Sequence, residues 1–191
     1  SGTHCPRGYY CDPSQCQSSA MCTTTACPQG TFSNKTDQHS NETCSYCPAG
    51  TYSNVIAATS DATCQPCAAG RYSHLIGAAN SLVCEACIAG KFSSEVGQAT
   101  CQSCPIGTYS STTAANSSTT CLPCSPGKSN TAEGATSLAS CDWCPAGKFG
   151  TGGAPCQACT TGMYSNANAS QCYAASQCPQ HSYCPGTSGA E

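Results

Sequence analysis

The residues with the clearest chemical potential in this chain are its 22 cysteines. Most of them recur as C-x-x-C pairs at regular intervals, as in Cys44, Cys47, Cys64 and Cys67. Cysteines in this arrangement support three chemistries: disulfide bonds, a zinc site with two C-x-x-C arms, or thiol redox catalysis. The elements that position the cysteines decide between the three.

Those elements are internal repeats. Each copy opens with a cysteine, places Gly three residues later and an aromatic residue two after that, and ends in a second cysteine after a loop rich in Ser, Thr, Ala and Asn. The sixth copy is irregular, because it has Ser129 at the aromatic position. The eight copies are Cys27 to Cys44, Cys47 to Cys64, Cys67 to Cys84, Cys87 to Cys101, Cys104 to Cys121, Cys124 to Cys141, Cys144 to Cys156 and Cys159 to Cys172.

Composition predicts a fold without a conventional core. Large apolar residues are sparse, with 1 Trp, 3 Phe and 2 Met in 191 residues, so cross-links must replace hydrophobic burial. Strand-like residues surround Tyr52 and recur at copy ends such as Ala62-Thr63-Cys64 and Ala99-Thr100-Cys101, which predicts a short irregular hairpin in each copy. We therefore expect a small disulfide-rich fold of short β-hairpins, stacked as an elongated rod or solenoid.

The aromatic residue of each copy is expected to pack on the neighbouring disulfide or on the next copy, since one hairpin cannot bury its own apolar face. Three regions are predicted: an N-terminal cysteine cluster over 1–26, the eight repeats over 27–172, and a C-terminal segment over 173–191 that restarts the N-terminal motif.

Disulfide formation is the favoured chemistry. It makes each C-x-x-C the junction between two closed loops, and a loop of about fifteen residues closed in this way contributes roughly 3 kcal/mol in the chain-entropy model. The zinc alternative fits the spacing of Cys44, Cys47, Cys64 and Cys67, but these junctions are evenly spaced rather than grouped in fours. Redox catalysis requires a thioredoxin-like βαβ setting, which the sequence lacks.

The phrase C-P-A-G-T-Y-S, followed by C-Q-P-C, resembles the ephrin-receptor-like cysteine-rich repeat and, more distantly, the small disulfide modules of tumour-necrosis-factor receptors. The terminal C-P-x-x-Y-C-P phrases are similar to those in large surface proteins of algae and other protists. The resemblance covers Cys27 to Cys172, and implies an extracellular position, an elongated shape and a disulfide between the opening and closing cysteine of each copy, for example Cys47 with Cys64 and Cys67 with Cys84.

Six cysteines lie outside the eight copies, and six can pair in fifteen ways. Our default is a local pairing of Cys178 with Cys184 and two bridges within the N-terminal cluster; bridges between successive subunits are the alternative. The phrases C-P-R-G-Y-Y-C and C-P-Q-H-S-Y-C near the two ends match each other better than they match the repeat, which indicates either a fragment of a longer array or a unit that continues head to tail. The cluster cysteines are Cys5, Cys11, Cys16 and Cys22.

The chemical environment implied by these features is oxidising and extracellular, because a reducing cytosol leaves such thiols unpaired. N-linked glycans are expected at four N-x-S/T sequons, and the Ser/Thr-rich loops suit O-linked sugars. The net charge of −3 and scattered basic residues argue against nucleic acid, and no apolar run is long enough for a membrane helix. We expect an export signal to lie elsewhere and no cofactor to be bound. The sequons begin at Asn34, Asn41, Asn116 and Asn168.

These features favour a structural protein over an enzyme. No histidine has a catalytic constellation around it, and the acidic residues are dispersed. The expected function is a structural glycoprotein of a surface fibril that polymerises head to tail; the alternative is a receptor or adhesin ectodomain with a ligand-binding face. Asp142-Trp143 is the single linker that could mark a contact, although packing of Trp143 on its neighbour is the simpler interpretation. The histidines are His4, His39, His74 and His181.

Overall fold

A computed structural model of the chain describes residues 5–12, 14 and 22–178. Within these residues the regular structure consists of short β-strands and single 3₁₀ turns, with no α-helix. No helix in this part of the chain is long and apolar enough to cross a membrane. The strands are β1 (Tyr9–Cys11), β2 (Thr24–Ala26), β3 (Thr31–Phe32), β4 (Ser45–Tyr46), β5 (Thr51–Tyr52), β6 (Gln65–Pro66), β7 (Arg71–Tyr72), β8 (Glu85–Ala86), β9 (Lys91–Phe92), β10 (Gln102–Ser103), β11 (Thr108–Tyr109), β12 (Leu122–Pro123), β13 (Lys128–Ser129), β14 (Asp142–Trp143), β15 (Lys148–Phe149), β16 (Gln157–Ala158), β17 (Met163–Tyr164) and β18 (Tyr173–Ala174).

Each odd-numbered strand pairs antiparallel with the strand that follows it, so the fold is a series of two-stranded hairpins. The first strand of a hairpin holds the aromatic position, and the second strand is the two-residue linker between copies. In the second copy, Tyr52 lies opposite Gln65 and Thr51 lies opposite Pro66. The predicted fold class, a small disulfide-rich repeat with short hairpins, is confirmed.

The predicted second strand was placed wrongly. Ala62-Thr63-Cys64 is not a strand: residues Asp61–Thr63 form a 3₁₀ helix, in which the Cys64 N–H donates to the Asp61 carbonyl at 2.8 Å. The Thr63 hydroxyl donates to the Ser60 carbonyl at 2.9 Å, a local bond that competes with strand pairing. Ala99-Thr100-Cys101 also lies outside the strands. The 3₁₀ helices in the described residues are Asn41–Thr43, Asp61–Thr63, Ser81–Val83, Ser118–Thr120, Leu138–Ser140 and Ala175–Gln177.

Disulfide bonds close the copies at the junctions. The bonded cysteines are 12 to 17 residues apart in sequence. Cys87 and Cys101 are also disulfide-bonded. All four cysteines of the zinc alternative are bonded to other cysteines, which leaves no thiolate among them for a metal ion. The bonds within copies are Cys27–Cys44, Cys47–Cys64, Cys67–Cys84, Cys104–Cys121, Cys124–Cys141, Cys144–Cys156 and Cys159–Cys172.

Outside the copies, Cys5 is bonded to Cys11, with a Cα–Cα distance of 6.1 Å. Cys22 and Cys178 are each disulfide-bonded as well. The remaining two cysteines of the N-terminal and C-terminal segments, Cys16 and Cys184, lie outside the described residues.

The chain divides into two compact units. The first comprises Ser1–Ala86 and Ser93–Cys101, and therefore holds the first three copies and the end of the fourth. The second comprises Cys87–Phe92 and Gln102–Glu191, and holds the start of the fourth copy and all later ones.

In the first unit, each copy is joined to the next by backbone hydrogen bonds. The Gly50 N–H donates to the Ser73 carbonyl at 2.7 Å, and in the reverse direction the Gly77 N–H donates to the Cys47 carbonyl at 2.8 Å. Because only main-chain atoms take part, side chains can vary between copies without loss of the bonds. Equivalent bonds run from Gly30 to Ser53, Gly70 to Ser93, Ala57 to Cys27 and Gly97 to Cys67.

The second unit repeats this pattern. The Gly90 N–H donates to the Ser110 carbonyl at 2.8 Å, and the Gly134 N–H donates to the Cys104 carbonyl at 2.8 Å. Equivalent bonds run from Gly127 to Gly150, Gly147 to Ser165, Ala114 to Cys87 and Asn168 to Cys144. We call this set of bonds between successive copies the backbone frame.

The glycine that follows the opening cysteine is required for two reasons. Gly50 has φ of +84°, a left-handed conformation that costs free energy for other residues. A Cβ at Gly50 would also overlap the carbonyl group of Gly97, which belongs to the second copy further along. The same overlap occurs between Gly30 and Gly77 and between Gly90 and Gly134. The turn predicted from this glycine is therefore also a point of backbone contact between copies two apart.

The interior is made of cysteines and small residues. Cys47, Cys67, Ser53 and Ser73 are fully buried. In the second unit Phe92 packs with three residues of the next copy, Cys104, Ala115 and Cys121, as expected for an aromatic residue that covers the neighbouring disulfide. Parallel bridges link the aromatic residue of one copy to an alanine of the next at Phe32 and Ala58, Tyr52 and Ala78, Phe92 and Ala115, and Tyr109 and Ala135.

We predict that the folded chain resists heat and broad-specificity protease until it is reduced, and that it loses both resistances together on reduction. Each closed loop contributes roughly 3 kcal/mol, and no apolar core remains when the bonds are broken. Thermal circular dichroism and limited digestion before and after dithiothreitol measure this, with EDTA as the control. Survival of reduction combined with collapse in EDTA would contradict the prediction.

We predict that Gly50→Ala lowers stability more than Gly162→Ala. Both glycines have φ near +80°, so both substitutions carry the left-handed cost of about 1 to 2 kcal/mol. No described atom lies within 4 Å of a Cβ at Gly162, whereas one at Gly50 meets the Gly97 backbone and adds about 1 to 3 kcal/mol. Thermal midpoints of the two oxidised variants measure the difference, and equal midpoints would show that the contact between copies contributes nothing.

Candidate functional site

The residues that acid or base catalysis would need do not form a site. His39 and His74 are exposed, while His4 and His181 lie outside the described residues. Among the residues that the structure describes, no group of three or more His, Cys, Asp or Glu side chains is placed to hold a metal ion.

Two ionisable groups have pKa values that depart clearly from normal. The Tyr72 hydroxyl donates to the Glu85 carboxylate at 3.0 Å, and this hydrogen bond, reinforced by the carboxylate charge, raises the pKa of Tyr72. Asp12 accepts from the hydroxyl and N–H of Ser14, which lowers the pKa of Asp12. Each shift favours the form that the group already has at neutral pH, which is the opposite of what proton transfer requires.

The sixth copy is the irregular one, and the structure shows how it is accommodated. Ser129 occupies the aromatic position in β13, and its hydroxyl donates to the Ala154 carbonyl of the next copy at 2.9 Å. The seventh copy is short and has Gly150 where most copies have serine. A Cβ at Gly150 would approach the Cys144 sulfur and the Lys128 backbone at about 3 Å. The short loop therefore lies close to the position that an aromatic ring occupies elsewhere.

Asn130 replaces a bond of the backbone frame. Its carboxamide oxygen accepts from the Gly107 N–H at 2.7 Å, in the place where other copies use a main-chain carbonyl. Its amide nitrogen donates to the Thr108 carbonyl at 2.6 Å. Asn130 is only 4 % exposed, so both polar ends of a buried side chain are satisfied.

A groove of about 390 Å³ lies beside Ser129 in the second unit. Its lining is mostly apolar and includes a few polar side chains. The volume is within the range of small-ligand sites. The lining residues are Ile106, Ser129, Asn130, Thr131, Asp142, Trp143, Pro145, Lys148, Pro155 and Cys156.

Trp143 is the single tryptophan of the chain, and it borders this groove. It lies opposite Lys128 in the β13–β14 hairpin, and the Lys128 ammonium lies 4.3 Å from the centroid of the indole. This cation–π contact covers part of the ring, but 55 % of Trp143 remains exposed. Packing on a neighbouring residue, the simpler interpretation from sequence, therefore covers only part of the Trp143 side chain.

The lining of the groove suits recognition of a small ligand. The indole and the prolines suit a flat or ring-shaped apolar surface, and Asp142, Lys148 and Thr131 add hydrogen-bonding groups to the lining. Sequence reasoning identified Ser129 and Trp143 separately but did not bring them together. Pro155 and the shortened seventh copy were the signals that could have done so.

A second surface, missed from sequence, lies in the first unit. Val55, Ile56, Leu75, Ile76 and Val96 occupy corresponding loop positions of the second, third and fourth copies, and each is 39 to 68 % exposed. The backbone frame holds these loops side by side. We call these five residues the aliphatic loop surface. Recurrence of aliphatic residues at equal distances from the opening cysteines was its signal in the sequence.

The four predicted glycosylation sites are on the surface. Asn34 and Asn41 are exposed in the first unit, and Asn116 and Asn168 are exposed in the second. Each sequon is therefore sterically compatible with a glycan.

No curated protein sequence matches the chain. Two overlapping segments, residues 79–121 and 90–141, match the family model described as tyrosine-protein kinase ephrin type A/B receptor-like. The matched segments include the fourth, fifth and sixth copies, and thus the irregular copy with Ser129. These three copies are therefore similar to ephrin-receptor-like cysteine-rich repeats, the family that the sequence resemblance named.

Proposed function

We propose that this chain is a structural glycoprotein of an extracellular fibril, and that it assembles end to end with further copies of itself. The extracellular part of this proposal rests on the disulfide-bonded cysteines and on the repeat family. Ephrin-receptor-like repeats are a non-catalytic type of module, which supports a structural role.

The observation that carries end-to-end assembly is that the backbone frame extends beyond the eight copies. The Gly8 N–H donates to the Ser33 carbonyl at 2.9 Å, and the Asp37 N–H donates to the Cys5 carbonyl at 2.8 Å. The segment that contains the Cys5–Cys11 disulfide is thus joined to the first copy as one copy is joined to the next.

The sequence supports the same model at the other end. The phrase C-P-Q-H-S-Y-C that starts at Cys178 is similar to the phrase C-P-R-G-Y-Y-C that starts at Cys5. A contact between unlike ends of identical subunits forms a ring if the rotation from one subunit to the next returns to the starting point. Otherwise it forms a filament. Main-chain groups at the edge of a sheet provide the bonds for such a contact.

The aliphatic loop surface supports lateral contact between fibrils. Its five exposed aliphatic side chains lie on three successive loops, and exposed apolar patches mark interaction sites on proteins. The fifth copy has Thr112 and Thr113 at the corresponding positions, which confines the apolar area to the first unit.

One observation favours a second candidate, a receptor or adhesin ectodomain. Only the sixth copy lacks its aromatic residue, and its groove exposes the single tryptophan. Binding sites are often marked by exposed aromatic residues at one position of an otherwise uniform surface. Because there is one tryptophan, its fluorescence reports directly on any ligand in this groove.

We expect the purified oxidised chain to form filaments whose axial repeat equals one chain length. Negative-stain electron microscopy and sedimentation velocity over a concentration series measure this. Filaments that dissolve on dilution without reductant indicate assembly by the backbone frame rather than by disulfides. A chain that stays monomeric at every concentration, while remaining folded by circular dichroism, would contradict end-to-end assembly and leave the ectodomain candidate.

We expect Ile76→Asp to abolish lateral association while leaving single filaments intact. Ile76 is 68 % exposed, so the substitution changes the folded chain little, but it places a charge in an apolar contact. Thr113→Asp is the matched control, since Thr113 has the same loop position in the fifth copy. Bundle width in micrographs is the readout, and equal bundling of the two variants would exclude the aliphatic loop surface as the lateral contact.

A further inference from the structure

In every copy except the seventh, one loop residue has a left-handed backbone conformation, with φ between +53° and +74°; the seventh copy has two such residues, Gly152 and Gly153, with φ of +83° and +72°. Outside the seventh copy, the N–H of this residue takes part in the backbone frame by donating to the carbonyl of a cysteine one copy earlier, as Gly77 does to Cys47. We call it the left-handed loop position. In the eighth copy this position is Asn168, which has φ of +72° and donates to the Cys144 carbonyl at 3.0 Å.

Where the left-handed loop position is glycine, the space for its absent Cβ faces a linker residue two copies earlier. A Cβ at Gly77 would lie 2.5 Å from the Tyr46 ring. The Cβ of Gly97 or Gly153 would lie 3.3 Å from Pro66 or Pro123, respectively, and that of Gly134 would lie 3.6 Å from Ser103. A side chain at this position is therefore directed at the second residue of that linker.

For Asn168 the corresponding linker residue is Trp143. The two residues converge on Gly127: a Cβ there would overlap the Asn168 carbonyl oxygen and would lie 3.6 Å from Cζ3 of Trp143. This arrangement corresponds to Gly30 between Gly77 and Tyr46 in the first unit. The side chain of Asn168 therefore starts next to the half-exposed indole of Trp143.

Asn168 is also the first residue of the sequon Asn168-Ala169-Ser170, and it is exposed. We propose that Asn168 carries an N-linked glycan whose first N-acetylglucosamine packs its ring against Trp143. The apolar C–H face of a pyranose matches the face of an indole, and the sugar amide and hydroxyls remain free to bond with polar neighbours. This proposal rests on the proposed function as an extracellular glycoprotein.

The attachment requires a lipid-linked oligosaccharide pyrophosphate as donor. The amide nitrogen of Asn168 forms a bond to C1 of the first sugar, and the bond between C1 and the pyrophosphate oxygen breaks. The amide loses one proton, and the lipid pyrophosphate leaves with the bonding electron pair. No electrons are transferred to an external acceptor.

The other sequon in the second unit lacks this geometry. Asn116 lies in the fifth copy, where the left-handed loop position is Ala114, and the chain has no second tryptophan. Asn116 is exposed like Asn168 and therefore provides a matched control. Glycans at the two sites experience the same secretory pathway but have different surroundings.

The experiment uses the full chain secreted from eukaryotic cells, with site occupancy measured by glycopeptide mass spectrometry. Ser170→Ala, which removes the sequon and leaves Asn168 in its left-handed conformation, is expected to shift the tryptophan emission to longer wavelength and to increase quenching by acrylamide, because the indole loses its cover. Ser118→Ala, which removes the sequon of Asn116 in the same way, is expected to change neither. Trimming with an endoglycosidase that leaves the first N-acetylglucosamine is expected to preserve the spectrum of the parent chain.

Two results would overturn the proposal. One is that Asn168 carries no glycan; the other is that Asn168 carries a glycan whose loss leaves tryptophan emission and quenching unchanged. A spectrum that changes equally in both variants would also overturn it, since this indicates a general effect of glycosylation. The readout is independent of filament formation, because it is measured on dilute monomer. Failure of assembly and failure of the sugar–indole contact are therefore distinguishable.

Discussion

The fold depends on the close approach of main chains that belong to copies two apart. At Gly50 this approach leaves no room for a Cβ beside the carbonyl of Gly97, and the same relation holds at Gly30 and Gly90. The disulfides of the repeats restrict each loop, and bonds such as Cys47–Cys64 and Cys67–Cys84 join residues within one copy. The register between copies instead comes from the glycine contact and from the backbone frame. Both depend on main-chain atoms and not on side chains that differ from copy to copy.

Much of this architecture could be predicted from the sequence, since repeat boundaries and cysteine spacing are local properties. The requirement for Gly50 at a tight turn was also visible. Its partner Gly97 was not, because contact between copies two apart depends on how hairpins stack. The second strand was misplaced because Gln65-Pro66 has weak strand propensity, while Ser60 and Thr63 bond locally instead of pairing.

The irregular copy shows which interactions can be exchanged. Ser129 loses the aromatic contact and gains a hydrogen bond to Ala154, and the carboxamide of Asn130 supplies an acceptor that the main chain provides elsewhere. Neither replacement was evident from sequence, because each depends on a residue more than 20 positions away. The groove beside Trp143 lies at this irregular copy and is lined by Ser129 and Asn130.

The use of main-chain atoms in the backbone frame also bears on how such a protein changes length during evolution. A recombination event that adds or removes a complete copy still leaves each remaining copy with equivalent partners in the next copy and in the second copy along the chain. An event that shifts the boundary by a few residues separates Gly50 from its partner carbonyl and breaks the sequence of disulfides. Gene length can therefore vary in whole repeats, whereas loop length varies only between the aromatic residue and the closing cysteine.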